Sequence, residues 1–111
     1  TRAVVVAGGP GVGPAVAIAE RALDDGGEAA IVYRDADVAH ADRIERLRER
    51  GATVHLLNAD ADLRDALEDA VTGTAGETLF VYGFADLVND ATAAIEAVGG
   101  DADAAKVENF G

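Results

Sequence analysis

The chain has 111 residues, half of them apolar, enough for one compact domain with its own core and too few for two. Its 21 acidic residues against 9 basic ones leave a net charge of −12, which argues against nucleic acid and anionic membranes as partners, because phosphate contacts need clustered Lys and Arg. Cysteine and serine are both absent, which excludes disulfides, thiolate metal sites and either residue as a nucleophile.

Ala3 to Ala7 is an apolar run that predicts the first strand. The segment AGGPGVGP from Ala7 to Pro14 follows directly and reads as a glycine-rich turn opening a helix. Gly8, Gly9, Gly11 and Gly13 lack a Cβ, so the backbone there can take positive φ and approach a bulky anion. Pro14 suits a first helical turn, whose N–H groups and dipole favour a phosphate in the crevice; Pro10 and Val12 complete the candidate cradle. The plain alternative is a tight turn with no ligand.

Helix one is predicted from Pro14 to about Asp24, ended by Gly26-Gly27. Strand two covers Ala29 to Tyr33, and a helix from about Val38 to Arg50 follows, stopped by Gly51. Strand three is Thr53 to Leu57, helix three about Asp62 to Val71, strand four Thr78 to Tyr82. The last helix runs from about Asp86 to Val98 with Leu87, Ala91, Ala94 and Ile95 on one side, and a final strand lies near Lys106 to Phe110.

Strands alternating with helices predict an α/β fold: a three-layer, doubly wound, five-stranded parallel sheet of order 3-2-1-4-5 with helices on both faces. Ligands of such sheets bind beyond the carboxyl ends of the strands, at the switch point. The chain places its unusual residues there: the glycine turn, Arg34 and Asp35, Asn58, and Gly83 with Phe84. His40 and His55 are too few for a metal cluster and read as surface or structural residues, and the acid runs read as a solvated face. No stretch approaches the ~20 apolar residues of a membrane span, so a cytoplasmic location is expected.

A dinucleotide fingerprint of the G-x-G-x-x-G kind would need a third glycine at Pro14, and a P-loop would need a lysine followed by Ser or Thr where Pro14-Ala15 stand. Neither pattern is complete. AGGPGVGP after strand one, VYR at the end of strand two, VYGFADL at strand four and the terminal ENFG together resemble the NAD(P)-binding module of ferredoxin–NADP reductase-type flavoproteins. The four matches are separated and correctly ordered. Gly8, Gly9, Gly11 and Pro14 match that family's pyrophosphate turn, with Pro10 in place of its usual Thr. Gly83 matches the glycine of its Cys-Gly-Pro-x-x-Met stretch and Leu87 stands at its methionine position, whereas Tyr82 and Phe84 replace the Cys and Pro. Glu108 and Phe110 match its terminal motif, which lies near flavin and nicotinamide.

The resemblance implies a single NAD(P)-binding domain over residues 1–111, excised from a longer chain that also carries an N-terminal flavin-binding β-barrel. It implies NAD(P)H bound by Gly8, Gly9, Pro10, Gly11, Val12, Gly13, Arg34, Asp35, Gly83, Phe84 and Phe110. FAD or FMN would sit mainly on the absent domain, and a ferredoxin or another electron carrier would be a partner. Hydride would pass between nicotinamide and flavin, so the isolated chain would bind nucleotide without turnover and contains no catalytic residue. Arg34 could pair with a 2′-phosphate and Asp35 with a ribose hydroxyl, pointing to NADPH and NADH respectively. The Asp-rich, Lys-poor composition resembles proteins of salt-loving archaea, where salt screens self-repulsion. The alternative from another class is a non-catalytic nucleotide-binding or regulatory module with no flavin partner.

Overall fold

A computed structural model describes all residues from Thr1 to Gly111. Five strands form one parallel sheet: β1 Arg2–Gly8, β2 Glu28–Arg34, β3 Thr53–Leu57, β4 Glu77–Gly83 and β5 Lys106–Asn109, in the order β3-β2-β1-β4-β5. Four helices connect them: α1 Val12–Asp24, α2 Ala41–Glu49, α3 Arg64–Ala70 and α4 Ala85–Ala97. The sequence-based order and fold class are those observed.

β1 is the centre of the sheet. Its apolar run is continuous because both faces are covered, as parallel sheets require. Val5 stands between Ile31 of β2 and Phe80 of β4. Side-chain alternation divides the core in two. Val5, Ala7, Ile31 and Tyr33 pack with Val12, Val16 and Ala19 of α1 and Ile44 and Leu47 of α2. Val4, Val6, Val32 and Val81 pack with Leu63, Leu67, Leu87, Ala91 and Ile95 on the α3/α4 face. Alanines at the helix contacts let the layers approach closely, so a cavity-forming change such as Leu67→Ala would cost about 2–5 kcal/mol.

Helix boundaries differ from expectation for local reasons. The glycine segment is itself wound, with a 3₁₀ turn over Gly9–Gly11 feeding α1 at Val12, so Pro14 sits inside the first turn rather than opening it. Proline is accepted there because that turn's N–H groups lack intrahelical partners. α2 begins at Ala41 rather than Val38 because His40 is left-handed, with φ 58°, which interrupts the helical path. α3 begins at Arg64, whose N–H donates to Asp62 Oδ1 in a local cap that uses the first residues expected of the helix. β5 stops at Asn109, and the chain then turns over the end of β4, the Phe110 N–H donating to the Gly83 carbonyl. No helix is long and apolar enough to cross a membrane.

Candidate functional site

At the carboxyl edge of the sheet the chain passes from β1 into α1 between the ends of β2 and β4. Gly8 is extended and Gly9 is left-handed, with φ 53°. Sterics fix two of the glycines without any ligand. A Cβ on Gly11 would overlap the Tyr82 carbonyl, and one on Gly8 would lie 3.1 Å from the Arg34 carbonyl oxygen. The turn is therefore wedged between β4 and β2. Gly13 is different: the nearest atom to its Cβ position is His40 Nε2 at 3.9 Å, so packing does not demand glycine there.

No side chain caps the 3₁₀ turn or α1, and Pro10 and Pro14 contribute no N–H. The first turn of α1 also contains no acid, whereas α2, α3 and α4 carry Asp42, Asp65 and Asp86 in theirs. An acid at a helix N-terminus satisfies the dipole internally. In a chain with 21 acidic residues, α1 alone among the helices keeps this end free of one.

Tyr33 and Asp35 flank the turn. Tyr33 is almost fully buried on the α1 face, and its hydroxyl donates to Asp35 Oδ2 at 3.0 Å while lying 3.4 Å from the Gly9 carbonyl oxygen. Burial first, and then the hydrogen bond and charge of Asp35, push the Tyr33 phenol up to about 12. The other Asp35 oxygen accepts from the Ala36 N–H at 2.7 Å, so the carboxylate is held in place beside the turn.

Arg34 points to the opposite face. Its guanidinium donates to the Ala61 carbonyl at 3.0 Å and to Asp90 Oδ2 at 2.9 Å, and its side chain is only 10% exposed. It forms one wall of a cleft of about 520 Å³ between the β3–α3 loop and α4, floored by Ala93, Ala94 and Ala97. The two neighbours Arg34 and Asp35 thus serve different surfaces, which strand alternation dictates.

On the β4 side, Phe84 covers one end of the turn, its ring 3.5 Å from the Cβ position of Gly9, and is half exposed. Phe110 meets it edge to face, with ring centroids 6.2 Å apart at 76°. The Ala85 N–H at the start of α4 donates to the Gly111 carbonyl at 3.3 Å. A Cβ on Gly83 would overlap the tip of the Leu87 side chain, which would have to shift to admit it. Val12 lies in the core beneath the turn. Glu108, on exposed β5, stands beside Tyr82.

The expected site residues Gly8, Gly9, Pro10, Gly11, Val12, Gly13, Asp35, Phe84 and Phe110 thus lie along one edge, while Arg34 turns away to Asp90. Tyr33 and His40 belong to the same neighbourhood, although Tyr33 enters the sequence reading only within the VYR match and His40 only as a surface or structural residue. For Tyr33 the signal was available: a tyrosine on the α1 face at a strand end, with an acid two positions on. His40 reaches Gly13 only through a left-handed backbone that periodicity does not reveal.

No protein-family model matches the chain, and no curated protein matches it. Its fold is similar to part of a flavohemoglobin from Malassezia yamatoensis, a structure with bound FAD and heme, with TM-score 0.69 and 17% identity. The similarity covers 100% of this chain and 32% of that one, so the chain spans about a third of the flavohemoglobin's length. At this identity the likeness is one of fold.

Proposed function

We propose that this chain is the pyridine-nucleotide-binding module of a flavin-dependent NAD(P)H oxidoreductase, and that it takes NADH in preference to NADPH. The observation that carries the reading is the N-terminus of α1: uncapped, free of acid, reached through glycines and placed at the switch point between β1 and β4. The sequence resemblance to ferredoxin–NADP reductase-type flavoproteins and the fold likeness to a flavohemoglobin support the same direction.

In this reading the backbone from Gly8 to Gly13 holds the pyrophosphate, with Val12 packing the turn from below and Gly13 leaving room beside His40. Asp35, fixed by Tyr33 and the Ala36 amide, accepts a ribose hydroxyl, and its charge repels a 2′-phosphate. Arg34 is committed to Asp90 and is withheld from that phosphate. Gly83, Phe84 and Phe110 form the nicotinamide end, where the two rings exclude water. When bound, the nicotinamide supplies or accepts a hydride; the protein groups orient it and shield it.

The flavin, FAD or FMN, belongs in this proposal to a separate β-barrel domain, with a ferredoxin or another carrier beyond it. The acid-rich surface fits work in concentrated salt, where repulsion within the chain is screened. Calorimetric titration of the chain with NADH and with NADPH tests the reading. Binding of NADH about tenfold tighter than NADPH, a difference of about 1.4 kcal/mol, is expected; no binding of either contradicts it.

A further inference from the structure

We propose that the open edge of β5 pairs with β5 of a second copy of this chain, antiparallel about a two-fold axis through Val107. All four residues of β5 are exposed, and the strand pairs only with β4. The Phe110 N–H donates to the Gly83 carbonyl, so residues two and four places earlier, Glu108 and Lys106, also turn their main-chain groups toward β4. Those of Val107 and Asn109 therefore face outward, an unpaired row of the kind that templates strand addition.

The side chains select the register. A two-fold axis at Val107 sets Val107 against its own copy and each Lys106 opposite the other chain's Glu108. Val107, 47% exposed in the single chain, is then covered at the axis. The Val107 pair would exchange both N–H···O=C bonds, leaving the Lys–Glu pairs at the positions between, where opposing side chains stand closest. An axis at Lys106 or Glu108 would instead set like charges directly opposite each other at the closest-spaced positions. Among the offered centres only Val107 is self-complementary.

Charge makes this match specific. Lys106 is the sole basic residue after Arg64, and neither it nor Glu108 takes part in an ion pair within the chain. Lys106 Nζ lies 5.6 Å from the centre of the Phe80 ring, which packs at the margin of the α1/α2 core. The net charge of −12 on each chain opposes association at long range. At an ionic strength of about 0.15 M the Debye length is about 8 Å, so the distant charges are screened while a contact pair is not.

Sedimentation equilibrium of the 111-residue chain over a concentration series at that ionic strength tests the proposal. The expected result is a reversible monomer–dimer equilibrium. Lys106→Glu or Glu108→Lys alone should weaken it by about tenfold, since each creates two like-charge pairs per dimer. The combined Lys106→Glu/Glu108→Lys variant should restore it to within about threefold. Val107→Pro removes an outward amide that β4 does not use, and should abolish the dimer while circular dichroism shows the fold retained. A chain that stays monomeric at every concentration, single and double charge variants that behave alike, or a Val107→Pro dimer as tight as the parent would each overturn the proposal.

Discussion

Arg34 donates to Asp90 across 2.9 Å and so ties the carboxyl end of β2 to the first half of α4. A second donation, to the Ala61 carbonyl at 3.0 Å, brings in the loop after β3. Arg34→Ala should cost about 1 kcal/mol of stability by leaving the part-buried Ala61 carbonyl without its donor, while the exposed Asp90 carboxylate is rehydrated. Asp90→Ala breaks the ion pair but leaves Arg34 on the α3/α4 side of the sheet with its bond to the Ala61 carbonyl, so the preference for NADH over NADPH should stay near the parent value. A preference that narrows by about tenfold, about 1.4 kcal/mol, would show instead that the freed guanidinium reaches the ribose side.

Gly11 and Gly13 separate folding from binding. Gly11→Ala forces its Cβ into the Tyr82 carbonyl and should destabilise the chain by about 1–3 kcal/mol, measured by urea denaturation. Gly13→Ala meets nothing closer than His40 Nε2 at 3.9 Å and lies in α1, so stability should be unchanged or rise by up to about 1 kcal/mol. Nucleotide affinity should nevertheless fall in Gly13→Ala, because the added methyl narrows the approach to the turn. Loss of stability there, or full retention of affinity, would count against the assignment.

Strand order was legible because each strand is an apolar run and each connection is a helix of recognisable period; parallel neighbours then leave few ways to arrange them. The glycine turn was legible as a turn. Its winding into a 3₁₀ segment was not, because that depends on Gly11 meeting Tyr82, a residue 71 positions away. The division of labour between Arg34 and Asp35 was equally hidden: adjacent residues look equivalent in sequence, and only their opposite faces, with Asp90 on one and Tyr33 on the other, decide what each can reach. Helix α2 began late because a left-handed His40 has no compositional marker.

Tyr33 gives the fold a basic limit. Its phenol is raised to about 12 in the folded chain against an ordinary value near 10, so the native state holds this proton after the unfolded chain begins to release its own. The stabilisation is complete below pH about 10 and is lost as pH rises through about 12. Tyr33→Phe should therefore lose stability more gradually than the parent over that interval in denaturation series; identical slopes would contradict the raised phenol.

Glu77 sets an acid limit at the other end of the sheet. Burial opposes its ionisation, but donation from Thr72 Oγ1 at 2.7 Å, the Thr72 and Gly73 amides and the charge of Arg2 together hold the carboxyl below its usual value. Stability from this group is present above the ordinary carboxyl range and is lost as pH falls through the lowered folded value. Glu77→Gln should be less stable than the parent at neutral pH by about 1–3 kcal/mol, with the gap closing in acid. A gap that persists unchanged at low pH would assign the effect to packing instead.

If main-chain amides at the start of α1 grip a nucleotide pyrophosphate, their chemical shifts move during titration with NADH. The largest changes are expected at Gly8, Gly9, Gly11, Val12 and Gly13, with smaller ones at Asp35 and Phe84. Unmoved signals from Gly8 to Gly13 at saturating NADH, or changes confined to the cleft beside Asp90 and Ala97, would contradict it.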